Sequence, residues 1–268
     1  MWQKLKRIDV LELEAARTQL INASQLVSAA PRSFMNSSRK SHNDWLLWDE
    51  KTYSMTSIEF GIKEKVKVNL DLEQFVLSIF GQGDHIEHLV ISGITYPMAF
   101  GWMKIKLDSF QVSGEQYYDN SSYTIANPLG PDDEMYVTSQ QVFHELTLYF
   151  SNAYVALKKV QKALKIHGTI SINPANLKMF LHSDKRNPTY SIGFSPGDQD
   201  YPEPYFFIQL EKKDIELKDG ETENIGIWNN KDWTGLVYGS GEFLTTDPDL
   251  ELGRVMDFFV INLKRLLA

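Results

Sequence analysis

Cysteine is absent from the 268 residues. Its absence excludes disulfides, zinc–thiolate sites, iron–sulfur clusters and cysteine nucleophiles at once, and it fits a reducing compartment. Long apolar runs are also missing. The longest, residues 75–80 (FVLSIF), has strand length, whereas a membrane-spanning helix needs roughly 20 apolar residues. No charged segment leading into an apolar one opens the chain, so no signal peptide is expected and the expected location is the cytoplasm. Positive charge is scarce, with 27 Lys and Arg against 35 Asp and Glu and a net charge of −8. A nucleic-acid partner would require clustered cations. Lys158, Lys159, Lys162 and Lys165 instead read as a solvated helix face. Phosphate-binding glycine loops are missing too: Gly81-Gln82-Gly83 lacks the third glycine, and no Lys-Ser or Lys-Thr P-loop occurs. Neither a cofactor, a nucleic acid nor a membrane is expected as a partner.

What the chain does have is rings. Hydrophobic residues make up 43% and aromatic ones 12%, including six Trp, twelve Tyr and fifteen Phe. That is enough to build a thick core or to line a pocket. Leu13, Ala16, Leu20, Ala23 and Val27 follow at helical spacing after Asp9, a capping residue, and Pro31 is expected to end that helix. The polar run 36–42 should be a loop. Period-two alternation predicts strands over 58–62 and 66–72, and the more continuous 75–80 and 89–91 read as further strands. The short connections imply an antiparallel meander. Thr95 and Pro97 predict the start of a second helix, with Met98, Trp102 and Ile105 on its apolar side.

Residues 114–137 are polar and rich in turn formers and are expected to separate two halves, 1–113 and 138–268, of one compact unit. The second half repeats the order of the first. Ser139 should cap a helix whose apolar face is Val142, Leu146, Tyr149, Ala153, Leu157, Val160 and Leu164, with Gly168 as its stop. Strands are predicted at 169–173, 177–182, 190–194, 205–210 and 234–238. A last helix follows Asp247-Pro248, with Leu252, Val255, Phe259, Leu263 and Leu266 as its stripe. The expected fold is therefore α+β: mainly antiparallel sheets with four long helices, in two helix–strands–helix halves around a shared core.

The least ordinary stretch is 193–207 (GFSPGDQDYPEPYFF), with three prolines, two glycines and three carboxylates between two predicted strands. Asp198, Asp200 and Glu203 can offer oxygens to a hard cation, but their spacing matches no calcium loop, and no metal is expected. The bland reading is a rigid loop in which Asp caps local amides. The sharper one is a pocket rim, with Tyr201, Tyr205, Trp228 and Trp233 as flat walls and Ser195, Asp198 and Glu203 as polar groups. For each ring, packing in the core competes with a binding role.

The six histidines are His42, His85, His88, His144, His167 and His182, and none has zinc-motif spacing. His182 with Asp184 and Ser195 would need to converge in space to act as a triad, and Ser195 lacks the nucleophile-elbow glycines. Three functional readings follow. The first is a soluble small-molecule-binding protein with a pocket near the 195–205 loop. The second is a hydrolase or metal-assisted enzyme using Asp198 and Glu203. The third is an interaction module or homodimer without catalysis, and the oligomeric state is left open.

The same loop resembles a run in an uncharacterised bacterial family of unknown function, Gly-x-Ser-Pro-Gly-Asp-x-x-Tyr-x-Glu-Pro-Tyr-Phe. The matching residues here are Gly193, Ser195, Pro196, Gly197, Asp198, Tyr201, Glu203, Pro204, Tyr205 and Phe206. Weaker similarity covers the opening helix around residues 15–20 and Gln25, and the stretch 233–237. That family carries a Trp-Pro-His-His-Phe-Asp type segment before the loop. The corresponding residues 173–179 keep Pro174 and have no histidine, so an activity relying on those histidines would be lost. The resemblance implies a shared fold and no reaction.

Overall fold

A computed structural model describes residues 1–35, 46–61, 63–82, 85–119, 121, 123–183, 190–210 and 225–266. The expected loop 36–42 with His42, the end of the expected strand at Ile62, the turn residues Gly83 and Asp84, and Asp184 lie outside the described residues. The fold is α+β with antiparallel sheets, as expected. In chain order the helices and strands are α1 (Val10–Phe34), β1 (Leu47–Asp49), β2 (Ser54–Thr56), β3 (Lys67–Asp71), β4 (Val76–Phe80), β5 (Ile86–Val90), β6 (Ile94–Thr95), α2 (Tyr96–Ser109), β7 (Glu134–Met135), α3 (Gln140–Ala163), β8 (Gly168–Ile172), β9 (Met179–Ser183), β10 (Tyr190–Ser195), β11 (Tyr205–Leu210), β12 (Ile227–Asn230), β13 (Thr234–Gly239), α4 (Ser240–Phe243) and α5 (Pro248–Leu266). No helix among the described residues is long and apolar enough to cross a membrane.

By its internal contacts the chain divides into two compact units. One comprises Met1–Val10, Leu148–Ser171 and Lys178–Ala268, and the other Leu11–Thr147 and Ile172–Leu177. The division falls within α3, whereas 114–137, the expected junction, belongs wholly to the second unit.

In that second unit a five-stranded sheet runs in the order β1-β2-β3-β4-β5. One of its faces carries Met55, Val68, Leu70, Leu77 and Ile79, all fully buried. The expected strand over 58–62 is reduced to one bridge between Phe60 and Val66. Helix α1 runs past Pro31 to Phe34. Proline loses its own N–H donor and crowds the carbonyl of the turn before it, not the turn after it, and Met35 N still closes the last turn on the Pro31 carbonyl (2.9 Å). Thr95 caps α2 through Met98 N, as expected. The buried stripe of α2, however, is Ala99, Met103 and Leu107, and the expected residues Met98 and Ile105 stand 63% and 71% exposed.

The described residues of 114–137 are tied to α1 by its polar side chains. Asn22 receives Leu129 N (3.0 Å) and donates to the Asn127 carbonyl (3.2 Å). Gln19 receives Tyr136 N (3.0 Å), Gln25 receives the Tyr123 hydroxyl (2.9 Å), and Ser33 receives Tyr118 N (3.0 Å). Tyr117, fully buried, donates to the Leu26 carbonyl (2.8 Å). A segment with almost no sheet pairing must satisfy its backbone elsewhere, and here the helix side chains do it.

In the other unit a six-stranded sheet runs β12-β13-β11-β10-β9-β8. Helix α3 is stopped by Lys165 in the left-handed region (φ 53°), with Ile166 N bonded to the Gln161 carbonyl (2.9 Å). Gly168, the expected stop, instead opens β8, where a Cβ would lie 1.7 Å from the His182 carbonyl oxygen. Strand alternation gives the sheet two faces. Phe194, Phe206 and Tyr238 form the helix face: Phe194 meets Tyr149 and Phe150 of α3, Phe206 meets Phe243 and Phe259, and Tyr238 stacks on Phe258. Ser195, Tyr205, Phe207 and Val237 point to the opposite side, here termed the loop face.

Candidate functional site

The loop face carries a second, smaller apolar cluster. Tyr205, Phe207 and Val237 form its buried floor, and Phe180, Tyr201 and Trp233 pack on it while remaining partly exposed. Two glycines make room for rings. A Cβ on Gly193 would lie 2.1 Å from the Met179 carbonyl oxygen and 2.6 Å from the Phe207 ring. A Cβ on Gly235 would lie 2.0 Å from the Ile208 carbonyl oxygen and 2.8 Å from the Trp233 ring. Both sit on strands because the rings and backbone approach too closely for any side chain.

The 195–205 loop is anchored on this cluster through Asp198. Its Oδ1 accepts Asp200 N (3.1 Å) and Tyr201 N (2.9 Å), the turn geometry expected of an aspartate in a rigid loop. Its Oδ2 accepts the Tyr205 hydroxyl (2.5 Å) and Lys178 Nζ (2.8 Å). A carboxylate has about four lone-pair sites, so Asp198 is saturated. Burial pushes its pKa up, but the Lys178 hydrogen bond and charge, the Tyr205 hydroxyl and the Tyr201 amide outweigh burial and hold it below the ordinary carboxylate range. Burial, then the neighbouring Asp198 charge, pushes the Tyr205 phenol well up, so it stays a donor. Ser195 is fully buried beneath, bonded by Gly197 N (3.2 Å) and by Tyr205.

Glu203 belongs to a separate network. Arg7 grips Oε1 through both Nε and a terminal nitrogen, Ser240 Oγ donates to Oε2 (2.9 Å), and the Gly241 amide adds a fourth donor. Burial raises its pKa, but these donors outweigh it and the net shift is downward. Asp198 and Glu203, paired in the sequence reading, share no partner. Tyr201 donates to Asn229 Oδ1 (3.1 Å), and Asn229 in turn donates to the Trp233 carbonyl. Trp228 alternates with Asn229 on β12 and pairs with Leu236, so it lies on the helix face, away from the other rings.

The loop face thus gathers Ser195, Asp198, Tyr201, Tyr205 and Trp233, and leaves out Glu203 and Trp228. It also holds residues absent from the sequence reading: Phe180, Lys178, Asn229, and Lys231, whose Nζ sits 5.8 Å above the Tyr201 ring and 3.2 Å from Asp200. Lys178 Nζ lies 5.6 Å from the Tyr205 ring. Strand parity was the available signal, since Phe180, Gly193, Phe207 and Val237 share one face once the register is set.

Among the described residues no group of three or more His, Asp or Glu is arranged to hold a metal ion. His85 stacks on Phe110 (4.1 Å) and His88 bonds Ser78 Oγ (2.7 Å), so the two do not converge. His144 pairs with Glu73 (3.2 Å), and His182 stacks on Phe180. No family model, curated protein or solved structure matches the chain.

Proposed function

We propose that the chain is a non-catalytic binding protein whose ligand is a small molecule with a flat apolar face, taken up on the loop face beside the 195–205 loop. The observation that carries this reading is the group of three partly exposed rings, Phe180, Tyr201 and Trp233, on a buried apolar floor. Ligand sites combine such walls with a few fixed polar groups, and Lys231, Asp200 and the Tyr201 hydroxyl border these rings. Acid–base chemistry is disfavoured because Asp198 and Glu203 have no acceptor capacity left for a substrate proton. A cysteine-free, acidic chain of this kind fits the cytoplasm.

Native mass spectrometry of freshly purified protein against its denatured mass tests for a retained ligand. Saturation-transfer NMR with indole, a flat probe with one polar edge, tests the surface itself. Retention or transfer that disappears in Trp233→Ala and Tyr201→Ala but survives in Leu250→Ala, an exposed residue of α5, is the expected result. Transfer that is absent, or that is unchanged in both ring variants, refutes the reading.

A further inference from the structure

Strand β5 is an edge of the five-stranded sheet and, among the described residues, is paired only with β4. Edge strands are normally protected by lysine, proline, a bulge or a covering element. This one, IEHLV, has no lysine or proline; its one charged side chain, Glu87, lies on the face of buried Ile79 and is neutralised by Lys106 of α2, while Ile86 and Val90 stand 41% and 58% exposed. The direction of its free backbone groups follows from the pairing. Gly81 N bonds the His85 carbonyl, and Ile91 N bonds the Phe75 carbonyl. In an antiparallel ladder the hydrogen-bonded positions alternate. Residues 85, 87, 89 and 91 therefore turn their N–H and C=O toward β4, and Ile86, His88 and Val90 turn theirs to the open edge.

We infer that β5 is a self-association edge that pairs antiparallel with β5 of a second copy of this chain, about a twofold axis at His88. The occupant is set by parity and side-chain match. Three outward positions centred on residue 88 place Ile86 opposite Val90 of the second copy and residue 88 opposite itself. Every free N–H and C=O then meets its complement in about six hydrogen bonds. Ile86 and Val90 form a β-branched cross-strand pair on one face, the stabilising unit of a sheet. Glu87, the acidic side chain of the strand, falls opposite Leu89 rather than another carboxylate, and its charge is already held by Lys106 of α2 (3.0 Å). The same helix leaves Met98 and Ile105 exposed, apolar surface of the kind that association buries. A two-strand contact is small, so association is weak and concentration-dependent.

The test is light scattering coupled to gel filtration across a micromolar to millimolar series, on the full chain. The wild type should shift from monomer to dimer, and Ile86→Lys with Val90→Lys should hold it monomeric, with an unchanged far-UV spectrum because both side chains are exposed. The cysteine-free sequence allows a second, independent readout. His88→Cys should form a disulfide-linked dimer under mild oxidation, since residues opposite each other in a hydrogen-bonded pair have Cα atoms about 5.5 Å apart; Leu250→Cys, exposed elsewhere, should not. A wild type that stays monomeric, a dimer that survives the double lysine variant, or equal cross-linking at positions 88 and 250 overturns the inference. If the lysine variant fails to fold, the contrast between the two cysteine variants decides.

Discussion

Replacing Asp198 by Asn separates a structural carboxylate from a functional one. The amide keeps an oxygen for the two loop N–H groups at Oδ1 but presents N–H donors to Lys178 Nζ and the Tyr205 hydroxyl, which are themselves donors. Hydrogen bonds to charged groups contribute about 1.5–3 kcal/mol each. Tyr205 can turn toward Ser195, so we take the loss as about 3 kcal/mol in total. For a chain of this size that is about 6–12 °C in Tm, at about 2–4 °C per kcal/mol. Asp200→Asn is the control: the same loop and chemistry, but a single exposed contact to Lys231, worth at most about 1 kcal/mol. The pH dependence follows from the direction of the shift. The folded pKa of Asp198 is depressed, so its contribution is fully present above the unfolded carboxylate pKa of about 4 and is lost as pH falls through the lower folded value. The Tm gap between wild type and Asp198→Asn, measured by calorimetry, should therefore be full at neutral pH and shrink below about pH 4. A gap no larger than that of Asp200→Asn, or one that widens in acid, refutes the saturated-brace reading.

Two further substitutions probe the packing. Gly193→Ala places a Cβ against the Met179 carbonyl and the Phe207 ring and should lower Tm by several degrees, whereas Gly101→Ala, in α2 with nothing within 4 Å, should raise stability by about 0.5–1 kcal/mol; thermal melts that reverse this order contradict the packing described. Asn22→Ala removes the acceptor of Leu129 N and the donor to the Asn127 carbonyl, at a cost of about 2–3 kcal/mol. Hydrogen exchange at the Leu129 amide should accelerate, and unchanged protection there would show that α1 does not hold the segment.

Regular elements were legible where one period dominated. The α3 face from Val142 to Val160 is buried as its spacing implies, and the aromatic run of β11 matches its predicted bounds. Helix α2 was ambiguous because two apolar stripes share its surface. Met98, Trp102 and Ile105 have helical spacing, and so do Ala99, Met103 and Leu107; the fold buries the second set, a choice the spacing alone does not make. Pro31 misled because proline forbids one donor rather than the turns that follow. In the loop, the capping role of Asp198 was readable from its neighbours, but its tie to Lys178 was not. That pair needs β9 and β10 aligned, information that lies in register rather than in sequence.

One signal in α1 was available and carries a wider consequence. No charged residue occurs from Thr18 to Pro31, and a long helix without charge is buried nearly all round. Gln19 and Asn22 are committed to the backbone of 114–137 and Gln25 to the Tyr123 hydroxyl and the Pro174 carbonyl, just as Asp198 is committed to its own loop. In both places an irregular segment obtains from side chains the hydrogen bonds that strand pairing would otherwise supply. Polar residues so committed cannot also serve a ligand without undoing the fold. Subtracting them removes Asp198, Glu203, Asn22 and Gln25 from the functional inventory, although they are among the most conspicuous polar residues of the sequence. The groups that keep unspent capacity are of a different kind: the partly exposed rings Phe180, Tyr201 and Trp233, and the outward backbone of Ile86, His88 and Val90. Function in this chain is accordingly sought in apolar surface and free backbone rather than in its carboxylates.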